Sequence, residues 1–189
     1  HWTAAAEWAE ALGADVISSS LGYAAFDQPY TSYTDRDMDG QTAVTTRAAA
    51  LAAERGVVVV NSAGNEGFDA DRNTLVAPAD GVRVLTAGAV TRAGTRAAFS
   101  SVGPSADGRI KPDICAPGTN IISDKSHAVN NDGWLAYDAN YVYWGGTSFS
   151  TPMVAGGASL VRQNYIENLG VSPSAALVKA TLMNGAKDI

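Results

Sequence analysis

The stretch from Val57 to Gly67 has the sequence VVVVNSAGNEG, and it decides which kind of fold to expect. Four consecutive β-branched residues favour a strand that is covered on both faces, because a strand with one face in water alternates apolar and polar residues. Strands of this kind belong to parallel sheets that lie between layers of helices. The small residues after the valines, and Asn65, are therefore expected at the carboxyl end of a buried strand, where α/β proteins bind ligands.

The segments on either side of this strand alternate between helix and strand patterns. Helices are predicted at residues 3–12, 42–55, 148–168 and 173–184. Strands are predicted at residues 15–21, 57–60 and 82–90, with an irregular extended stretch at 114–123. This order predicts an α/β fold with a mainly parallel sheet and helices on both faces. Since no internal repeat or low-complexity linker occurs, we expect one domain over residues 1–189.

Composition excludes several classes of function. The 189 residues carry a net charge of −6, which does not favour binding to nucleic acid. No apolar run reaches about 18 residues, so no membrane span is expected. Cys115 is the single cysteine, which excludes an intrachain disulfide. Only His1 and His127 accompany it, so a zinc site of Cys and His ligands is excluded as well.

The segment from Gly145 to Pro152, GGTSFSTP, places a serine at the start of a predicted helix. Thr147 is predicted to cap this helix, so that Ser148 lies in the first turn. Free N–H groups and the helix dipole favour negative charge there, and these surroundings suit a nucleophilic serine that also has a base. Pro152 lacks an N–H and leaves a carbonyl near Ser148 without its helical partner. Taken alone, the local pattern favours an ordinary capped helix after a glycine turn.

Two further segments follow predicted strands. The side chain of Asn65 can donate a hydrogen bond to an oxyanion, although Gly-Asn-Glu-Gly is also good turn chemistry. The strand ending in Ser20, Leu21 and Gly22 can pair with an extended peptide, although this pattern in isolation favours a plain strand terminus.

An acidic loop contains the sequence DRDMDG from Asp35 to Gly40. Asp35, Asp37 and Asp39 fit the first half of a calcium-binding loop. The twelfth position of that loop is Thr46 rather than Glu, so a full EF-hand is excluded. A structural calcium ion and a solvated acidic loop therefore both remain open.

Four of these segments, taken together, resemble the subtilase family of serine proteases. They occur in the family's order, and nearly with its spacing: Ser20-Leu21-Gly22, then Ala63-Gly64-Asn65-Glu66-Gly67, then Lys111-Pro112-Asp113 with Ala116-Pro117-Gly118, and last Gly146-Thr147-Ser148 with Thr151-Pro152. The last of them is similar to the family's nucleophile motif. The part of the chain after Lys111 looks most like the oxidatively stable alkaline proteases of this family.

The resemblance implies a three-layer, subtilisin-like fold and a set of residue roles. Ser148 would be the nucleophile of a serine endopeptidase, and its N–H with the Asn65 side chain would form the oxyanion hole. The strand of Ser20, Leu21 and Gly22 would pair with a polypeptide substrate. The wall of the pocket for the residue before the scissile bond would be Ser62, Ala63 and Gly64. It also implies a secreted or cell-envelope protein that needs no cofactor for its chemistry.

The resemblance is to the C-terminal part of the family's catalytic domain. Subtilases carry an Asp-Ser/Thr-Gly and a His-Gly-Thr-His segment upstream of these motifs, and neither string occurs in residues 1–189. His1 lacks the motif, and His127 lies in a loop beyond the region expected to supply the base. We therefore expect a partial catalytic domain that is inactive alone, whose partner is the missing N-terminal part, and whose uncovered sheet edge favours self-association. The alternative is a non-catalytic peptide-binding or structural fragment.

Overall fold

Four parallel strands form the main sheet of the computed structural model, which describes residues 1–125 and 135–188. Their order in space follows their order in the chain: β1 (Val16–Ser19), β2 (Val58–Ser62), β3 (Leu85–Val90) and β4 (Ile114–Pro117). All three pairings are parallel, so the carboxyl ends of the strands lie at one edge of the sheet. The predicted parallel α/β fold is confirmed.

Helices cover both faces of this sheet, and the valines at residues 57–60 pack alternately against the two helical layers. Val58 and Val60 pack into a core with two helices at the end of the chain, α3 (Thr147–Leu169) and α4 (Ala175–Gly185). Val57 and Val59 point the other way, into a core with α1 (Trp2–Ala11) and α2 (Val44–Glu54). Neighbouring residues of a strand face opposite sides, so a strand between two apolar layers needs an apolar residue at every position.

A second, antiparallel sheet carries the chain to the start of α3. It consists of β5 (Ile121–Asp124), β6 (Leu135–Ala136) and β7 (Tyr141–Trp144), in the order β5-β7-β6. The prediction of one irregular stretch at 114–123 was wrong, because β4 and β5 belong to different sheets. Gly118 lies between them, and a Cβ there would come 2.5 Å from the Ser150 hydroxyl and 2.7 Å from the Ala89 Cβ.

A buried ion cluster ties the last helix to the sheet. The ammonium of Lys111 donates to the Asp113 carboxylate at 2.6 Å and to the Thr86 hydroxyl at 2.8 Å. Lys179 of α4 donates to the other oxygen of Asp113 at 2.9 Å and to the Val84 carbonyl at 2.8 Å. With two ammonium groups and one carboxylate, the cluster holds a net positive charge. Burial, reinforced by the charge of Lys179 and only partly offset by Asp113, lowers the pKa of Lys111 to about 8.

Replacing Asp113 with Asn is expected to lower the free energy of unfolding by about 3–5 kcal/mol, because two lysines lose the carboxylate they share. Glu54→Gln is the matched control. It breaks a pair with Arg83 in which both side chains are about half exposed, and it is expected to cost less than about 1 kcal/mol. Denaturant unfolding of both variants provides the measurement. Equal losses would show that the cluster contributes no more than a surface pair.

The lowered pKa of Lys111 also predicts a pH dependence of stability. Between about pH 8 and the unfolded value near 10.5, the unfolded chain holds this proton and the folded chain does not. Stability from this group therefore rises with pH across that window and is constant below it. Unfolding titrations of the wild type and Lys111→Met should show this rise only in the wild type. A wild type whose profile matches that of Lys111→Met would contradict the shift.

Candidate active site

Ser148 lies in the first turn of α3, as predicted, but the helix begins differently. Its N-cap is Gly146, with φ of 153°, and no side chain caps the helix. Thr147 was predicted as the cap and is instead the first helical residue. Its fully buried hydroxyl turns toward the end of β2, where Asn65 Oδ1 at 3.0 Å and the Gly64 carbonyl at 3.2 Å share its single proton.

The Ser148 carbonyl, which Pro152 leaves without a helical partner, accepts a hydrogen bond from a residue distant in the sequence. Pro152 lies inside α3, so the Ser148 carbonyl receives no bond from position 152. The hydroxyl of Ser20, which directly follows β1, donates to that carbonyl at 2.8 Å. The Ser148 hydroxyl in turn donates to the Ser20 carbonyl at 3.4 Å. Two residues that are 128 positions apart are thus brought into contact.

The side chain of Asn65 is held from one end. Its Oδ1 accepts from the Thr147 N–H at 2.9 Å and from the Thr147 hydroxyl at 3.0 Å. These two bonds fix the orientation of the amide, so the Nδ2 group lies on the side away from Thr147. Among the described residues, Nδ2 donates to no protein group, and Asn65 is exposed.

A small empty space lies beside this amide and the start of α3. A Cβ placed on Gly146 would come 3.6 Å from Asn65 Nδ2, 3.7 Å from the Ser148 nitrogen and 3.7 Å from Asn65 Oδ1, whose lone pairs are engaged by Thr147. The Ser148 N–H is in the first helical turn and has no helical acceptor. Two N–H donors therefore border a space that the glycine leaves open. A preorganised pair of this kind, at a positive helix end, can stabilise an oxygen that develops negative charge.

The two predicted substrate segments follow neighbouring strands. Ser20, Leu21 and Gly22 continue β1 and are exposed, whereas Ser62, Ala63 and Gly64 end β2 and are buried. Both therefore lie at the same edge of the sheet as Ser148. Sequence reasoning missed Val76, which lies between the two segments: a Cβ on Gly64 would come 3.2 Å from Val76 Cγ2, and one on Gly22 would overlap that atom. No local pattern distinguishes Val76 from other loop valines.

A base for Ser148 is the element that the described residues do not provide. The only partner recorded for its hydroxyl in residues 1–125 and 135–188 is the Ser20 carbonyl. His1 is exposed at the start of α1. His127 lies outside the described residues.

The acidic loop uses its carboxylates locally. Asp35 and Asp37 belong to a short 3-10 helix, and Asp37 accepts from the Thr34 N–H and hydroxyl, each at 2.7 Å. These bonds, the backbone one foremost, lower the pKa of Asp37. Asp39 accepts from the N–H groups of residues 41 and 42. The described part of the chain contains no group of three or more His, Cys, Asp or Glu side chains arranged to hold a metal, so the calcium prediction gains no support from geometry.

Comparison with known proteins connects this arrangement to a family. The model of the subtilase family matches residues 1–189. Subtilisin DY of Bacillus licheniformis is 34% identical over 160 residues, which is 84% of this chain and 46% of that protein. The serine protease AprX of Bacillus subtilis is 37% identical over 154 residues, covering 74% of this chain and 32% of that protein. The chain thus spans less than half the length of these relatives.

Solved structures agree with the sequence comparison. The prenylagaramide maturation protease PagA superposes with a TM-score of 0.71 at 28% identity, over 99% of this chain and 57% of that one. The patellamide maturation protease PatA gives a TM-score of 0.69 at 25% identity, over 99% and 58%. In the described residues, no helix is both long and apolar enough to cross a membrane. A match over its whole length, and a shared fold, show that this chain belongs to the subtilase family.

Proposed function

We propose that residues 1–189 are the nucleophile-bearing part of a serine endopeptidase that hydrolyses polypeptides. The observation that carries this proposal is the pair of free N–H donors, from Asn65 and Ser148, beside the space at Gly146. A carbonyl oxygen in that space gains its hydrogen bonds when it becomes an oxyanion. These donors would then stabilise the transition state more than the bound substrate, which is the requirement for catalysis.

The proposed reaction is acyl transfer in two steps. The Ser148 oxygen attacks the carbonyl carbon of the scissile peptide and gives its proton to a base. The tetrahedral intermediate places its negative oxygen between Asn65 Nδ2 and the Ser148 N–H. Collapse of this intermediate breaks the C–N bond, the amine leaves with the proton, and an ester to Ser148 remains. Water then attacks the ester by the same route and regenerates the serine.

The base and the acid that orients it are proposed to come from polypeptide outside residues 1–189. The contact of the Ser148 hydroxyl with the Ser20 carbonyl, at 3.4 Å, is long and cannot remove the proton. Residues 1–189 alone are therefore a partial catalytic domain without turnover. The complete protein is proposed to act on extended polypeptides laid along Ser20, Leu21 and Gly22, in a secreted or cell-envelope location.

The second candidate is a non-catalytic domain that binds peptides at the same strand ends. The lack of a base near Ser148 in the described residues favours it. It predicts that peptides bind without cleavage in the complete protein as well. Calcium binding by the loop of Asp35, Asp37 and Asp39 is a separate hypothesis. The local hydrogen bonds of Asp37 and Asp39 argue for the solvated loop instead.

Cleavage of a denatured protein and of a chromogenic peptide by the complete protein tests the proposed activity. Ser148→Ala is expected to abolish turnover. Asn65→Ala should lower kcat roughly a hundredfold or more with little change in KM, the size of loss known for one oxyanion donor in subtilisin. Residues 1–189 alone should show no turnover. Peptide binding without cleavage by the complete wild type would favour the non-catalytic alternative, and a loss in Asn65→Ala confined to KM would refute the oxyanion role.

The space at Gly146 gives an independent prediction. In Gly146→Ala a methyl group enters the space between the two donors, on a backbone whose φ disfavours it, so kcat should fall at least tenfold. Gly156→Ala, in the same helix, is the matched control, since a Cβ there meets nothing within 4 Å. It should leave kcat unchanged. Far-UV circular dichroism of both variants separates a blocked site from a lost fold, and unchanged activity in folded Gly146→Ala would show that the space is not used.

A further inference from the structure

We propose that Asn61 is a positioning residue for substrate binding: its buried amide orients the backbone beyond β1 so that Ser20 and Gly22 present their N–H and carbonyl groups to an extended peptide. The inference rests on the proposed function, in which a polypeptide lies along Ser20, Leu21 and Gly22. Asn61 belongs to none of the four segments through which the chain resembles its family.

The backbone ladder between β1 and β2 ends directly before the segment proposed to pair with substrate. Its last pair is Ser19 with Asn61. The side chain of Asn61 continues the connection, because its Nδ2 donates to the Leu21 carbonyl at 3.1 Å and to the Ser62 carbonyl at 2.9 Å. One amide group thus bonds a carbonyl of each chain segment at the point where the ladder stops.

Fixing the Leu21 carbonyl determines where the neighbouring backbone groups point. In extended backbone, the N–H and carbonyl groups of successive residues turn to opposite sides. Tyr23, two residues after Leu21, exchanges two hydrogen bonds with Ala77, at 2.9 and 3.2 Å. Leu21 and Tyr23 are therefore both bonded toward the interior, and Gly22 between them turns outward. Among the described residues, the N–H and the carbonyl of Gly22 have no hydrogen-bond partner.

Ser20 follows the same alternation on the other side of Leu21. Its carbonyl turns away from β2 and lies 3.4 Å from the Ser148 hydroxyl. The outward groups of Ser20 and Gly22 consequently form one row that begins beside the proposed nucleophile. An extended peptide can pair with such a row by backbone hydrogen bonds, whatever its side chains are.

The environment of Asn61 indicates a role other than stability. Its side chain is fully buried in a strand that otherwise consists of valines and small residues, and its Oδ1 has no hydrogen-bond partner among the described residues. A buried acceptor without a partner costs free energy, whereas an apolar side chain of the same shape would not. Groups of this kind in a folded protein call for an explanation, which the orientation of Leu21 supplies.

Substrate length separates a positioning role from a structural one. Because Ser20 contacts Ser148, a peptide must extend about 7 Å further along the segment to reach Gly22, at about 3.3 Å per residue. A substrate with a single residue before the cleaved bond cannot reach Gly22, and one with four residues can. Misplacement of Gly22 should therefore impair only the longer substrate, whereas a general loss of structure would impair both.

The test compares two substrates of the complete protein, a tetrapeptide p-nitroanilide and an acetylated single-residue p-nitrophenyl ester with the same residue before the cleaved bond. Asn61→Leu keeps the branched shape of the side chain and removes both donated bonds. It should lower kcat/KM at least tenfold for the tetrapeptide and less than twofold for the ester. Asn61→Ala should change the ratio of the two in the same direction, although it leaves a smaller side chain.

Asn73→Leu is the matched control. Asn73 is also buried, its Nδ2 donates to one distant carbonyl, that of Asp35 at 2.8 Å, and its Oδ1 likewise has no partner among the described residues. The control should lower stability in denaturant unfolding but keep the wild-type ratio of the two substrates. Equal losses of both reactions in the Asn61 variants, by unfolding or otherwise, would show a purely structural residue and overturn the inference. The same change of ratio in Asn73→Leu would overturn it as well.

A binding experiment separates this inference from the proposed function. A tetrapeptide that ends in a free carboxylate, as a cleavage product does, is titrated into the complete protein with Ser148→Ala, and into the same protein with Asn61→Leu added. A dissociation constant at least tenfold higher in the double variant supports the role of Asn61, even if no form of the protein cleaves anything. Equal binding to the two proteins, or no binding to either, refutes it. Absence of cleavage by the wild type counts against the proposed function alone.

Discussion

The buried side chain of Thr147 joins the first turn of α3 to the carboxyl end of β2, and the geometry of the site depends on that junction. Its hydroxyl lies between the Asn65 amide and the backbone of Gly64, and its own N–H completes the hold on Asn65. The cost of leaving such buried polar groups unpaired is about 1–3 kcal/mol each, so the three residues form one unit. A helix that began elsewhere would lose both the orientation of Asn65 and the position of Ser148.

Local sequence patterns predicted the parts of this junction, but not how they meet. The valines of β2 require two apolar layers, and the structure provides them. The presence of Pro152 predicted that the Ser148 carbonyl would lack a helical donor, and this carbonyl accepts its hydrogen bond from a residue outside the helix. Its partner, Ser20, could not be derived from local chemistry, because 128 residues separate the two and only the assembled sheet brings them together. The role of Thr147 as a cap was wrong for the same reason: a tertiary contact competed with the local one and prevailed.

Other features that the local patterns did not settle have different physical causes. Strands β6 and β7 are short, and their pairing is set by a hairpin rather than by a strong alternation of apolar residues. The aspartates of the acidic loop match a calcium pattern by spacing, yet spacing does not show whether carboxylates converge on an ion or bond the nearest N–H groups. The carboxylates of Asp37 and Asp39 accept hydrogen bonds from nearby backbone N–H groups, those of Thr34 and Thr42. Val76 is a loop residue, and its place between Gly22 and Gly64 follows only from the tertiary structure.

Gly64 connects the candidate active site with the proposed substrate pocket. Its N–H and carbonyl both bond the Thr147 hydroxyl, whereas its Cα faces Val76 and the hydroxyl of Ser101. A Cβ there would come 2.7 Å from that hydroxyl, and φ of 115° already favours glycine. The space proposed for the oxyanion and the proposed wall of the substrate pocket are therefore positioned by one residue's backbone. Because both are fixed to the same point, a side chain added at Gly64 would disturb both.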